Sequence, residues 1–377
     1  MKVNKAYKFR FYPTKEQKQN LANTFGCARF VYNRMLAIRT DEYYNNGVKI
    51  NYDKSSELLT ELKKEEEYKW LNEVSAVPLQ QGLRNLQKAF SNFWKKLTKY
   101  PNFKKKSYDQ SITYAANAFE FKNKELKLAK QSEPLKIVWH RKIPKNTRIT
   151  SISVSKDNSD RYFVSLFLEE EVNFLPTNDN IVGIDLGLED FVVFSSGEKV
   201  KTPKILRKYQ SKLALLQKRL AKKQKASKRR NIARLKVAKI HKRIANKRSD
   251  FLHKLSTRII RENQTIVVED LNISGMLKLK KLSKSISDAS WSEFLRQLKY
   301  KALWYGRNII EIDKWFPSSK RCNECGYILD SLKLDVRKWI CPKCNINHDR
   351  DINAAKNILT VGMTGIARGE SVRPACA

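Results

Sequence analysis

Two cysteine pairs restrict this chain more than any other feature. Cys322-x2-Cys325 is followed, after fifteen intervening residues, by Cys341-x2-Cys344. Each C-x-x-C turn aims two thiolates at one point, and four thiolates close a tetrahedral shell with no position left for chemistry. This is zinc-ribbon spacing, and it predicts one structural Zn²⁺. Cys27 and Cys376 stand apart, so the six cysteines read as one metal site plus two free thiols rather than three disulfides. The second pair then runs into acids in "CPKCNINHDRDINAAKNI", residues 341–358.

Acids are scarce here. Lys and Arg number 76 against 38 Asp and Glu, a formal net charge of +38 at pH 7. Such an imbalance is strongly self-repelling unless a polyanion is present, and nucleic acid is the expected partner. An anionic membrane is the alternative, but no amphipathic anchor or lipidation motif supports it. The N-terminal "MKVNKAYKFRFYP" lacks an apolar signal core and no long apolar run follows, so the reading is a soluble, cytoplasmic chain without a membrane partner. With 377 residues, 41% of them hydrophobic, it can build two or three domains with cores of their own.

Texture changes along the chain mark those domains. "YKFRF" alternates as a strand that Pro13 stops, and "TKEQ" is a capping box from Thr14 to Gln17 that opens a helix. Further helices are expected over roughly 54–66 and from Pro78, so 14–104 reads as a helical block. Strand patterns and turns dominate 105–176, and with 1–13 they suggest a small antiparallel β-barrel. "IVGIDLG", "FVVFSSG", "TIVVEDL" and "NIIEID" read as buried strands of a further domain, 177–320 and 346–377, with the ribbon, 321–345, inserted. Residues 201–250 carry 20 Lys or Arg and one acid, Asp250, on a leucine-spaced pattern. They are expected to form a basic helical hairpin facing phosphates. The weakly patterned tail from about 360 is expected to be mobile.

Three acids are candidates for catalysis. Asp185 and Glu269 end apolar strands, and Asp351 starts the helix "DINAAKNIL". A carboxylate at a buried strand end is costly unless a cation compensates it. Two strand-end acids and one helix-start acid is how the RNase H-like fold holds two Mg²⁺ ions for in-line displacement at phosphorus. Each also has a plainer reading: Asp351 as an N-cap, Asp185 as part of an actin-like phosphate loop, Glu269 as an ion-paired strand end. Asp349 rivals Asp351, with an ion pair or turn hydrogen bond as its simplest role. Asp351 is preferred because the small-residue stretch "NAAKN" after it can pack close to a sheet. His140, His241, His253 and His348 show no H-x-H or H-E-x-x-H spacing that would suggest a histidine-ligated metal.

Read together, "KAYKFRFYPTKEQ", "GCARFVYN", "YPNFKKK", "VGIDLGLEDFVV", "HKRIANKRSDFLHKLST", "VVEDLNI", "ISDASWSEF", "LKYKALWYGR", "FPSSKRCNECG" and "CPKCNINHDRDINAAKNI" resemble the TnpB family, encoded by IS200/IS605-type transposons and related to the Cas12 nucleases. The resemblance runs nearly end to end. It implies a transposon-encoded, RNA-guided double-stranded DNA endonuclease, monomeric in its complex, with a transposon-derived guide RNA and a target-adjacent motif. The implied fold is α+β and multidomain: an RNase H-like (RuvC) nuclease domain with an inserted zinc ribbon, an antiparallel β-barrel (WED) and a helical recognition (REC) domain. Asp185, Glu269 and Asp351 match the family's catalytic positions and would hold the Mg²⁺ pair, while the four cysteines match its zinc finger. By local match Tyr52, Ser56 and Gln80 would lie near the bases of the motif, although close relatives carry a lysine where this chain has Ala76. Gln80 has the amide pattern that pairs with adenine, or is a plain surface amide. Lys104, Lys105, Lys106, Lys242, Arg243, Lys247 and Arg248 are the candidates for backbone phosphates, where base pairing reads sequence and the protein holds the heteroduplex.

Rival functions are a guide-RNA-dependent DNA-binding repressor without cleavage, a DNA transposase, and a zinc-ribbon transcription factor. All three acids are present, which disfavours the first. No histidine pair accompanies a tyrosine nucleophile, which disfavours the second, and the third leaves the buried acids unexplained.

Overall fold

The computed structural model describes residues 1–144, 147–333 and 335–367. The chain divides into two compact units, Lys2–Glu171 and Val172–Ala377, the latter also taking in Met1.

In the first unit β1 (Lys2–Phe11) alternates as its sequence requires, with Val3, Phe9 and Phe11 buried. The Thr14–Gln17 capping box starts α1 (Lys15–Asn46), and Gly47 closes it in the left-handed region at φ 68°. Next come α2 (Tyr52–Leu62), a 3₁₀ turn over Glu66–Asn72, and α3 (Ala76–Trp94). The helix expected over 54–66 starts two residues earlier, because the Asn51 side chain caps it by accepting the Lys54 N–H. Strands follow: β2 (Gln110–Ala115), β3 (Phe119–Lys122), β4 (Glu125–Leu128), β5 (Ile137–Val138), β6 (Ile149–Lys156) and β7 (Tyr162–Glu171). Here the structure differs from the expected barrel. The described strands form an open antiparallel sheet in the order β2-β6-β7-β1-β5, with β3 and β4 paired separately as a hairpin. β5 has two residues and lies between Pro134 and Pro144, too short a ladder to carry the sheet round to β2. Sheet and helices share one core, in which Phe9, Leu21, Met35, Leu83, Val154 and Leu166 belong to a single buried cluster.

The second unit is built on a mixed sheet in the order β10-β9-β8-β11-β12. Its members are β8 (Ile181–Asp185), β9 (Asp190–Phe194), β10 (Lys199–Lys201), β11 (Thr265–Glu269) and β12 (Asn308–Ile312). The strands β8, β11 and β12 run parallel, β9 runs antiparallel to β8, and β10 pairs antiparallel with β9. Between β10 and β11 stand α4 (Ile205–Ala221) and α5 (Lys228–Glu262), an antiparallel pair zipped by Ile205, Leu213, Val237, Ile240 and Ile244. After β11 come α6 (Ile273–Met276), α7 (Ser283–Ala289) and α8 (Trp291–Tyr305). One sheet face packs against α5 and α8 through Ile184, Val268, Ile259, Phe294 and Leu298.

The other face takes the last helix. Past β12 the cysteine segment forms the short hairpin β13 (Lys338–Ile340) and β14 (Asn347–Asp349), which leads directly into α9 (Arg350–Ala367). Ala354, Ala355 and Ile358 are buried under the sheet. Gly183 in β8 makes this possible: a Cβ there would meet the Ala355 carbonyl oxygen and lie 2.8 Å from the Leu359 backbone nitrogen. Gly362 fits against Val267 in the same way. The segment from 360 to 367, expected to be mobile, therefore continues a packed helix, because its glycine admits the strand side chain. The rest of that expected tail, with Cys376, lies outside the described residues.

These contacts separate two glycine substitutions. Gly183→Ala is expected to cost about 1–3 kcal/mol by overpacking. Gly26→Ala, in the middle of α1 with nothing within 4 Å of the added carbon, is expected to gain roughly 0.4–1 kcal/mol. Urea unfolding followed by far-UV circular dichroism measures both, and equal effects would refute the packing argument.

Candidate active site and metal centre

The parallel register sets the first two acids side by side. Val268 pairs with Ile184, and the next residue on each strand is Glu269 and Asp185. Both sit at carboxyl ends of parallel strands, the edge of an open α/β sheet where ligands bind. Each is half-buried. The Asp185 carboxyl is pushed up to about 7, first by burial and then by the charge of Asp351. The Glu269 carboxyl is also pushed up to about 7, by burial and then by Asp185. Among the described residues neither carboxylate has an ion-pair partner. Two like charges are thus held together in a place where a multivalent cation would relieve them.

α9 brings the third acid. Asp351 lies in its first turn, and the structure separates it from its rival Asp349. Asp349 Oδ1 accepts the N–H groups of Asp351 (3.2 Å) and Ile352 (3.1 Å), and its Oδ2 takes the Lys199 ammonium at 2.8 Å. Burial alone would raise the Asp349 carboxyl, but Lys199 and the helix N–H groups hold it below the usual carboxylate range. Asp349 is therefore the cap. Among the described residues Asp351 is left without a capping duty and is met by Arg337, whose Nη1 lies 3.4 Å from both carboxylate oxygens. Arg337 also reaches Glu189 at 3.8 Å. Sequence reading passed over Arg337 and Lys199, because nothing local ties a ribbon arginine or a β10 lysine to acids far away in the chain.

The four cysteines converge. Their Sγ atoms all lie within 4.8 Å of one another, with Cys322–Cys344 at 3.6 Å and Cys325–Cys341 at 3.5 Å. Zn–S bonds of about 2.3 Å need S···S edges of about 3.8 Å in a tetrahedron, so the cluster could hold a zinc ion with little adjustment. His348 Nε2 lies 3.1 Å from Cys322 Sγ, and its ring centroid is 4.7 Å from that of Trp339. The hairpin that encloses Cys341 and Cys344 thus continues through β14. Among the described residues no other His, Cys, Asp or Glu group is drawn so tight.

The residues expected to contact nucleic acid fall in both units. Tyr52 opens α2 with the Arg84 guanidinium 5.1 Å from its ring, Ser56 is half-buried one turn on, and Gln80 is exposed in the first turns of α3. The Lys104 ammonium lies 4.1 Å from the Tyr32 ring, and Asn33 fixes its backbone through both N–H and carbonyl. Lys105 and Lys106 are exposed, and their carbonyls accept from the Gln110 amide. On α5, Arg243 and Lys247 are exposed and Lys242 is half-buried. Arg248 is engaged within the protein, 2.7 Å from Asp288, which also accepts the Leu206 N–H at the start of α4.

Family models match three parts of the chain: "Probable transposase" over 165–280, "Cas12f1-like, TNB domain" over 291–358 and "Helix-turn-helix domain" over 1–48. Over the last span the structure has one strand and one long helix. A solved structure titled as the Cas12f1–sgRNA–target DNA complex superposes with a TM-score of 0.57 at 13% identity, covering 95% of this chain and 98% of that one. The class is therefore a mixed α/β protein with a Cas12f1-like fold. A "Putative RNA-guided DNA endonuclease" of Streptomyces pristinaespiralis is 48% identical over 99% of this chain and 92% of its own length. The "Putative RNA-guided DNA endonuclease InsQ" of Escherichia coli strain K12 is 31% identical over 99% of this chain and 96% of its own. The chain belongs to the TnpB family. No helix among the described residues is long and apolar enough to cross a membrane.

The raised acids give a pH dependence with a definite sign. Unfolded, both groups titrate near pH 4; folded, near 7. The metal-free fold therefore bears no penalty from them below about pH 4, and loses stability as pH rises from there through 7. Metal-free Asp185→Asn is expected to melt higher than the parent at pH 8, with the gap closing toward pH 5. Differential scanning fluorimetry across that range reads it; a variant that melts lower at pH 8 would contradict the uncompensated pair.

Proposed function

We propose that this protein is an RNA-guided double-stranded DNA endonuclease that cuts by two-metal hydrolysis in one RuvC-like site. Asp185, Glu269 and Asp351 would hold two Mg²⁺ ions. When bound, such a pair activates a water and stabilises the leaving 3′ oxygen. The observation that carries this reading is the pair of strand-end carboxylates, both pushed up to about 7 even though the charges of Arg350 and Arg337 act on Asp185 in the opposite sense, with Asp351 delivered to them by α9.

The remaining assignments rest on that site and on the family. The sheet unit from 177 serves as the RuvC-like nuclease domain with the zinc ribbon inserted in it. Residues 1–13 and 105–176 act as the WED-like domain, and 14–104 as the recognition domain. The transposon-derived guide RNA and target DNA are the partners, and one protein copy suffices. Arg243 and Lys247 on the basic hairpin, with Lys105 and Lys106, contact phosphates; Tyr52, Ser56 and Gln80 read the target-adjacent motif. Arg248 stands last among these candidates, since a phosphate would have to displace Asp288 from it.

The test begins with protein co-expressed with its flanking transposon DNA. Bound RNA is sequenced, and the complex is given Mg²⁺ and a plasmid library with the guide match beside randomised bases. Linear product that depends on the motif, and that Asp185→Ala, Glu269→Ala or Asp351→Ala each reduces by at least about a hundredfold, is expected. Motif-dependent binding without cutting would replace the nuclease by a repressor, and absence of bound RNA would reject both. Binding is also expected to weaken steeply with salt, through counterion release; a flat titration between 50 and 200 mM salt, on the order of the range where such losses are seen, would argue against the phosphate contacts.

A further inference from the structure

Asp351 owes its place to α9, and two buried amides tie α9 to the ribbon. Asn353 and Asn357, 2% and 3% exposed, lie four residues apart and so on one helix face. Asn353 Nδ2 donates to the Arg321 carbonyl at 2.7 Å, and its Oδ1 accepts the Asn323 N–H at 3.0 Å. Asn357 Nδ2 donates to the carbonyls of Ser318 (2.8 Å) and Arg321 (2.6 Å). The backbone on both sides of Cys322 is thus held by side chains of the helix that carries Asp351.

The second knuckle grips the same helix from its start. Beyond Cys344 the chain enters β14, where His348 meets Cys322 Sγ and the next residue, Asp349, caps α9 at the Asp351 N–H. Ala354, Ala355, Ile358 and Gly362, with Leu359 and Val361 partly covered, bury α9 against the sheet, and apolar residues would serve there. Two buried amides aimed at three backbone groups fix one placement of the ribbon instead, because a shift would leave those groups unpaired.

We infer that Asn353 and Asn357 are positioning residues that couple the zinc ribbon to the metal-binding acid Asp351, so that the ribbon sets the affinity of the acid site for its divalent cations. This rests on the reading of the three acids as a metal site. Four thiolates gathered by zinc hold the two knuckles together. One knuckle is bound to the body of α9 and the other to its first turn, so the angle at which Asp351 faces Asp185 is fixed from both ends. Groups that orient metal ligands from behind are worth about 10–100-fold in metal affinity.

The experiment titrates Mn²⁺, followed by electron paramagnetic resonance, into the zinc-loaded full chain. The component lost in Asp185→Ala is the acid site. Asn353→Ala and Asn357→Ala are expected to keep one zinc per chain and an unchanged far-UV spectrum, yet to weaken that component about tenfold or more. Asn357→Leu keeps the side-chain volume while removing the amide, and is expected to do the same if the alanine variant fails to fold. Variants that keep zinc and bind Mn²⁺ as tightly as the parent would overturn the inference. A parent chain with no Asp185-dependent Mn²⁺ binding would instead reject the metal-site reading, and with it the coupling; that result is read before any asparagine is changed.

Discussion

The repulsion between Asp185 and Glu269 is the constraint around which the second unit is arranged. Two carboxylates at adjoining ends of parallel strands, partly withdrawn from water, cost stability in the absence of a cation. A fold selected for stability alone would place apolar side chains there. The surrounding structure instead brings a third acid towards the same edge and offsets the charge only in part, through Arg337 on that third acid and the charges of Arg350 and Arg337 on Asp185. The site is short of positive charge within a chain that has an excess of it almost everywhere else.

Delivering the third acid requires a close approach. α9 can lie against β8 only because Gly183 has no side chain, and against β11 because Gly362 accepts Val267. Burial of Ala354, Ala355 and Ile358 then supplies the adhesion. The orientation of the helix about its start is a separate matter, and polar contacts govern it: the Asp349 cap, the Lys199 ion pair and the asparagine amides. Packing decides that the helix is there, and hydrogen bonds decide where its first turn points.

Charge elsewhere follows a different logic. The hairpin of α4 and α5 has a thin apolar seam and an outer face of Lys and Arg with few acids to pair with. Repulsion along such a face weakens the free protein and is relieved by a polyanion. Arg248 shows that membership of a basic run does not fix a residue's role, since Asp288 takes it up inside the fold.

Much of this was legible in the sequence, and the reason is locality. Cysteine spacing, the Thr14–Gln17 capping box, the strand-end placement of Asp185 and Glu269 and the helix after Asp351 all depend on residues within a few positions of one another. Tertiary structure alone decided the rest. It showed that β5 is too short to close the sheet, that 360–367 is packed helix, that Asp349 rather than Asp351 caps α9, and that Arg337, His348, Asn353 and Asn357 gather around the acids and thiolates. Each of these depends on groups that meet only when strand register and helix packing are set, and hydropathy patterns and local spacing carry no record of those distances.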